Sequence, residues 1–427
     1  MNTAWRRVTY LTFFLIFFIA APFLIFYSLG YRYNFDKHIV EKNGAFFIKS
    51  YPRNAEIFID QIKTRYKTPS QITNTKPGQY LVAIKKENYH TWHKALTVHA
   101  GQTSFVEEAA LFLIDNDKTA LGLGSSDFII NQHQNKYSHL IDNDLWLTNV
   151  DLDKSSKIFS FTNPVELISW SFDDQKLLIK QGTYKLFNLQ QQKITTLNIG
   201  NPDKIIWDNQ DANVLWFLDK DKLYRHNTIL NTTALKTEDI QDFAITGEYL
   251  ILQNNQNLSS TITQVTKNIT ASDDEEAIHQ LNHLNVGKLK ILLADNDYLI
   301  FMLGSKLYIQ RSFDELISIP ASLVKIYGKF LLINDGHQTI LYDYNEKTSN
   351  IINRSSKITS DIYWHPNGSY FMDEIDGLTT IYELDGRDYR NNTQILDDPL
   401  KKLYLFNKKG DKLFILTETE NFYLNLQ

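Results

Sequence analysis

His279 and His283 stand four residues apart, a spacing that on a helix would bring two imidazoles to one face, where they could share a metal ion. A metalloprotease helix carries a Glu directly after its first His. Here that position is Gln280, so the pair reads as solvated. His90 and His93 flank Trp92 on a strand-and-turn segment, and three residues of strand point them to different faces. Asp115-Asn-Asp117, Asp142-Asn-Asp144, Asp219-Lys-Asp221 and Asp295-Asn-Asp297 invite a calcium reading, but none has the further ligand, the Gly and the closing Glu of an EF-hand loop. They read as hairpin turns, where Asp and Asn favour the backbone. Gly122-Leu-Gly124-Ser-Ser lacks a phosphate-loop Lys, and no Gly-x-Ser-x-Gly occurs. Trp146, Trp170, Trp207, Trp216 and Trp364 could stack on sugars, yet their strand positions assign them to the core. Carboxylates converging from separate repeats could cleave a glycan, an arrangement that no local motif announces. No catalytic, cofactor-binding or metal-ligating residue is assigned, and the expected activity is not enzymatic.

The segment bearing the first histidine pair has its own start signal. Ser272 with Glu275 three residues on fits a capping box, and acids fill the first turn. Ala277, Ile278, Leu281 and Leu284 follow at helical spacing, so a short amphipathic helix is expected over 272–285. It would be an insertion in an otherwise β-rich chain.

The opening of the chain is of another kind. Val8 to Leu29 carries no charged residue and is dominated by Phe, Leu and Ile. A helix of that length spans roughly 33 Å, against a bilayer core of about 30 Å. A secretory signal has a shorter apolar run and a small-residue cleavage site, so residues 8–29 are expected to be an uncleaved transmembrane helix in contact with the lipid bilayer. Tyr27, Tyr31 and Tyr33 fall at its outer boundary. Arg6 and Arg7 in the short tail 1–7 place that tail in the cytoplasm and everything from about residue 31 outside, with 30–44 as a linker. Pro22 is tolerable within such a helix.

The remaining composition is that of a folded ectodomain. The chain is 43% hydrophobic and 13% aromatic, ample for a core. A net charge of -5 without a basic block argues against a nucleic-acid partner. With no cysteine, disulfides, thiol nucleophiles and Cys-ligated metals are all excluded, which for an exported chain points to a bacterial envelope.

Residues 45–113 alternate as short strands and turns. Ala55-Glu-Ile57-Phe-Ile59-Asp60 and Tyr80-Leu-Val82-Ala-Ile84 have period two, and Pro77-Gly78 fits the centre of a type II turn. Trp92 opens a strand that runs to Val98, and Gly101 turns the chain again. The ordered elements Ser50-x-Pro52-x-x-Ala55-x-Ile57-x-Ile59-Asp60, Thr68-Pro69, Pro77-Gly78-x-Tyr80-x-Val82-x-Ile84 and Tyr89-x-x-Trp92-x-Lys94 resemble the PEGA domain family. The departures are Gln61, Tyr66 and Asn88, each where that family has Gly. The resemblance implies an extracytoplasmic β-sandwich with no catalytic residues to carry over.

From 119 to 427 the chain repeats. Trp170-Ser-Phe-Asp-Asp-Gln-Lys-Leu-Leu-Ile is echoed at Trp207, at Trp364 and at Phe406, each time as strand, polar turn and strand. A period near 40 residues with four strands per unit is that of propeller blades. Units begin near 127, 165, 203, 240, 287, 323, 358 and 400, and the last has only three strands, so Thr119–Gly124 is expected to supply the fourth. Eight blades are expected, with seven as the alternative. The turns resemble those of TolB and WD40-like propellers without the fuller Ser-Pro-Asp-Gly signature. The whole reads as an all-β, membrane-anchored, extracytoplasmic binding or scaffold protein whose partner is an envelope protein or cell-wall polymer. The alternatives are a propeller-based glycan hydrolase or lyase, or a structural surface-layer component.

Overall fold

The computed structural model describes all residues except 1–2, 35–37, 126, 257–258, 268–277, 312–314 and 399–402. The chain falls into two units. One comprises Met1–Asn116, Tyr382–Thr393 and Leu426–Gln427, the other Asp117–Ile381 and Gln394–Asn425.

The first unit begins with a helix over Thr3–Ser28 that contains Pro22. Its stretch Trp5–Ser28 is long and apolar enough to cross a membrane, as a signal sequence also would be, and Phe13, Phe17, Ile19 and Phe23 are exposed. Arg32 closes its end. One guanidinium nitrogen donates to the carbonyls of Tyr27 (2.6 Å) and Tyr31 (2.8 Å), and the group lies 3.5 Å from the centre of the Tyr27 ring. A cation there satisfies orphan carbonyls and complements the helix dipole. Residues 30–44, expected as a linker, contain a hairpin of Tyr31–Asn34 with Ile39–Lys42.

Two sheets then form a sandwich. Gly44–Tyr51 lies between Ser70–Thr75, antiparallel, and Thr103–Ala110, parallel. The facing sheet has the order Ile62–Lys67, Glu56–Ile59, Gly78–Lys85, Trp92–Val98. Alternation along these strands sends Phe46, Ile48, Ile57, Val82, Ile84 and Leu96 into one shared core. Asp60 and Gln61, with φ of 49° and 67°, make the two-residue turn between Ile59 and Ile62, so Gln61 takes the left-handed backbone usually given to glycine. Asn88 does the same with φ 67°. The expected type II turn at Pro77-Gly78 is absent, because Gly78 joins the ladder opposite Val98 instead of adopting positive φ.

The second unit is built on eight four-stranded antiparallel sheets in chain order, spanning 128–160, 166–196, 204–237, 242–285, 289–320, 323–354, 359–381 with 394–397, and 403–425. Their first strands start where the repeat starts were expected. Neighbouring sheets approach through those first strands, as 128–130 does with 166–170 and 323–327 with 359–364, so the first strands line the axis. The eighth sheet takes its fourth strand from Lys118–Leu123, which pairs with Glu420–Asn425, the closure expected for Thr119–Gly124.

Side chains in or beside the turns join one sheet to the next. Asn131 donates to Asp174 (2.8 Å), Lys176 to Asn213 (2.6 Å), and Lys267 pairs with Asp208 (2.8 Å). Tyr249 donates to Asn296 (2.8 Å), and the Tyr298 and Tyr344 rings meet at 5.1 Å. Tyr327 donates to the Pro366 carbonyl (3.0 Å), the His365 ring meets the Gly410 carbonyl (3.0 Å), and the Lys408 amide donates to Asp151 (2.8 Å). These eight contacts cover the junctions from the first sheet through to the eighth and back to the first.

One expectation fails within the fourth sheet. His279–Asn285 is a strand, not part of a helix, and residues 272–277 lie outside the described residues. Ile262 pairs with Leu281 and Ser260 with Leu284, so Asn282 and His283 together oppose Thr261. His283 has φ 59°. This is a β-bulge, and it sends Leu281 and Leu284 to the same core although they stand three residues apart. The bulge gives a strand the spacing of a helix.

Ring closure supplies a stability test. Gly124 donates to the Thr419 carbonyl, and a Cβ there would meet the Thr417 carbonyl oxygen at 2.3 Å and the Glu420 nitrogen at 2.4 Å. Backbone on both sides leaves nothing flexible to give way. Gly124→Ala is expected to lower stability by about 1–3 kcal/mol, visible as an earlier thermal transition; an unchanged melting curve would contradict this account of closure.

Candidate functional site

In the first unit the alternation Trp92, Lys94, Leu96, Val98 puts a lysine in an inward row. Its side chain is fully buried. The Lys94 ammonium lies 2.9 Å from Glu383 Oε2 and 3.3 Å from Asp385 Oδ2, and it donates to the Asp385 carbonyl at 2.8 Å. Three N–H donors therefore meet three acceptors. Trp92 Nε1 donates to Glu383 Oε1 (3.0 Å) and Asn391 donates to Glu383 Oε2 (2.8 Å). Burial pushes the Asp385 carboxyl up, but the Arg387 hydrogen bonds and the Lys94 charge outweigh it and hold the group below its ordinary value.

The segment that brings these acids is fastened along its length. The Ala95 amide donates to Asp388 (2.9 Å), Tyr389 to the His93 carbonyl (2.7 Å), and Arg387 to the Phe105 carbonyl (2.9 Å). Each of these charges has a partner, and the buried pair Lys94 and Glu383 is closed to a substrate. The arrangement is a clasp that holds 383–391 on the edge strand Trp92–Val98. Its sequence signal is the lysine at a core position; the acids lie about 290 residues further on, beyond the reach of local pattern.

The other residues singled out by type do not converge. His90 and His93 are exposed, and the His93 ring packs 5.0 Å from Tyr389. His279 is buried and its pKa is pushed down by burial, whereas His283 is exposed. Among the described residues no group of three or more His, Asp or Glu side chains is placed to hold a metal ion. Asp142, Asp219 and Asp295 do sit at hairpin ends, and Asp295 Oδ1 accepts from the amides of Asp297 and Tyr298. Asp115–Asp117 is instead the stretch between two strands that belong to different sheets. Trp170, Trp207 and Trp216 are buried, with Trp216 Nε1 donating to Asp208 (2.9 Å); Trp364 is half-buried against Tyr327 at 5.2 Å. Gly122 and Gly124 belong to the ring-closing segment.

A second buried charge has no motif at all. Asp373 lies on Tyr370–Ile375 and is 1% exposed, accepting one hydrogen bond from Asn353 (2.7 Å) on its Oδ2, while Oδ1 has no partner. Burial raises its pKa to about 7, with the Asn353 bond acting in the opposite direction.

Residues 43–108 match the model of the PEGA domain family. A comparison with curated proteins gives no match. Among solved structures the chain is similar to a eukaryotic initiation factor, at 12% identity over 68% of this chain and 81% of that one, with a TM-score of 0.51. It is also similar to the C-terminal WD40 domain of Sif2 (13% identity, 73% and 97% covered, TM-score 0.49). A third is an oligogalacturonate lyase from Vibrio parahaemolyticus (11% identity, 70% and 98% covered, TM-score 0.41). Identities this low speak of fold and not of activity.

Two outcomes are expected from these sites. Lys94→Met strands the buried Glu383 and removes a partner from the half-buried Asp385, at a cost of about 3–5 kcal/mol, so trypsin should cut at Arg387 and Arg390 in the variant and spare them in the parent. Adding Glu383→Gln and Asp385→Asn should restore most of the resistance; equal cleavage of parent and single variant would show that the clasp holds nothing. For Asp373 the folded pKa lies above the unfolded one, so folding takes up a proton between these values, and this group's contribution to stability falls as pH rises from about 4 to about 7. Asp373→Asn should remove that part of the decline and stabilise the protein at pH 8 by roughly 2–4 kcal/mol in chemical denaturation. Parallel pH profiles for parent and variant would refute the assignment.

Proposed function

We propose that this protein is a membrane-anchored, extracytoplasmic binding protein of a bacterial cell envelope, with the propeller as its interaction platform. The observation that carries the reading is a helix with its apolar surface exposed, followed directly by a sandwich that matches the PEGA domain. Such a helix is costly in water and favourable in a bilayer. Arg6 and Arg7, ahead of the uncharged run of this helix, favour a cytoplasmic N-terminus, with the sandwich and propeller outside.

The platform part rests on how the second unit is made. Its sheets bury their faces against one another and leave the turns as the available surface. Several turn tips carry large apolar side chains that nothing covers: Leu152 is 71% exposed, Ile229 71% and Leu230 69%. Contacts of this type suit an envelope protein or a cell-wall polymer lying across the sheet ends.

The chain has no cysteine, which makes the test clean. In intact cells Ile229→Cys should react with a membrane-impermeant maleimide, and Thr3→Cys should react only after permeabilisation. A photo-cross-linker at Leu152 or Ile229 should then capture the same one or two envelope proteins, or a wall polymer retained without cleavage. Labelling of Thr3→Cys in sealed cells would overturn the orientation. Capture of nothing but further copies of this chain, or of cleaved glycan, would overturn the platform in favour of a surface layer or an enzyme.

A further inference from the structure

The outward side of the four-stranded sandwich sheet carries a charge pattern that its core does not need. Ile57, Val82 and Ile84 point into the core, so Glu56, Phe58 and Lys85 point out. On the edge strand Lys67 stands opposite Glu56 and Lys63 opposite Phe58, and Glu56 also stands opposite Lys85. Three lysines thus surround one glutamate and one aromatic ring on three adjacent strands. Lys63 meets Glu56 at 2.5 Å, and the Lys85 ammonium lies 4.8 Å from the centre of the Phe58 ring. All three lysines are exposed, and among the described residues neither Lys67 nor Lys85 has an acid within ion-pair distance.

In a chain of net charge -5 this face is positive, and its charges do not converge on a point. Lys67 and Lys85 flank Glu56 about 10 Å apart, with Lys63 further along the edge strand, so a compact ion would reach only one of them. A chain with one charge per unit would reach them all. Lysine offers a point charge that suits phosphate, whereas planar carboxylates favour arginine forks, and Arg65 of the edge strand already donates to the Tyr66 hydroxyl (2.9 Å). Lys85 covers the Phe58 ring, so this surface offers no open ring on which a nucleic-acid base would stack. The face also lies away from the helix. The Asn43 amide donates to the Gly30 carbonyl (2.9 Å), and a Cβ on Gly44 would meet Val98 Cγ1 at 2.4 Å, so the Val98 end of the sheet adjoins the helix end. Gly78 stands opposite Val98, and Lys85 ends the same strand about 23 Å further along, beyond the reach of lipid headgroups at the helix end.

We propose that Lys63, Lys67 and Lys85 form a docking face for a linear phosphodiester polymer of the cell wall, a chain of polyol units joined by singly charged phosphates. The three ammoniums pair with separate phosphates of the chain, while Glu56 positions Lys63 and competes with the polymer for it. The inference rests on the reading that the sandwich lies on the outer side of the membrane. The face itself is distinct from the turn tips of the propeller, so either can fail alone.

The full chain, reconstituted in phosphatidylcholine nanodiscs, can be titrated with fluorescent, lipid-free poly(glycerol phosphate) and followed by anisotropy. Glycerol 3-phosphate, polyglutamate, oligo-thymidylate and discs containing phosphatidylglycerol are the comparisons. Lys63→Gln, Lys67→Gln and Lys85→Gln together should weaken polymer binding by about tenfold and flatten its salt dependence by about one unit of slope per lysine. Glu56→Gln removes the competing carboxylate and should strengthen binding about threefold, an effect that a merely structural bridge would not give. Unchanged polymer binding in a triple variant whose melting curve matches the parent would overturn the proposal. So would glycerol 3-phosphate, polyglutamate or oligo-thymidylate binding as tightly as the polymer, or phosphatidylglycerol in the disc displacing it. Loss of the face is thus read in the discs, whereas labelling of Thr3→Cys in sealed cells would overturn the location alone.

Discussion

A propeller sheet has two apolar faces and no layer of its own to cover them, so it stays folded only while both neighbours are in place. In this chain the constraint is met twice over. The side chains on the faces interlock from sheet to sheet, as Val214, Trp216 and Leu218 do with Phe243, Leu250 and Leu252. The polar turns then bind each sheet to the next, from Asn131 and Asp174 round to Lys408 and Asp151. Neither device works in a line of sheets with free ends. Pairing of Lys118–Leu123 with Glu420–Asn425 makes the first and last sheets neighbours, and the other contacts acquire their cooperativity from it.

This explains the composition of the turns. Asp, Asn and Ser after a first strand satisfy the tight backbone locally, as Ser171 does by accepting from the Lys176 amide and donating to Asp173. The same turns supply the groups that reach the adjoining sheet. A residue type that looked like calcium chemistry or plain turn propensity therefore has a third role, visible only when the sheets stand side by side. Asp208 combines all of these: it accepts from its own turn, from Trp216 and from Lys267 of the next sheet.

The phase of the repeat was legible because strand length, turn composition and period agree with one another at each unit, and the closing strand followed from the missing one in the last unit. The sandwich was legible through alternation and ordered turn residues. The fourth strand of the fourth sheet was not. Leu281 and Leu284 share a core across a bulge, and an inserted residue changes the period from two to three, which a one-dimensional reading takes for a helix turn. The hairpin of Tyr31–Asn34 with Ile39–Lys42 was missed because its strands are short and largely polar. Lys94 could have been suspected from its inward register alone, but Glu383 and Asp385 could not, since long-range partners leave no trace in spacing.

The fully buried Lys94 shows how the fold compensates a charge taken out of water. Lys94 has three donors and three acceptors in contact, with Trp92 and Asn391 taking up the remaining oxygens of Glu383. Desolvation there is compensated within the fold, and nothing remains to attract a ligand. The lysine therefore serves cohesion: its charge is spent on holding 383–391 to the sandwich strand, and the two ends of the chain segment it joins are fixed by the same buried pair.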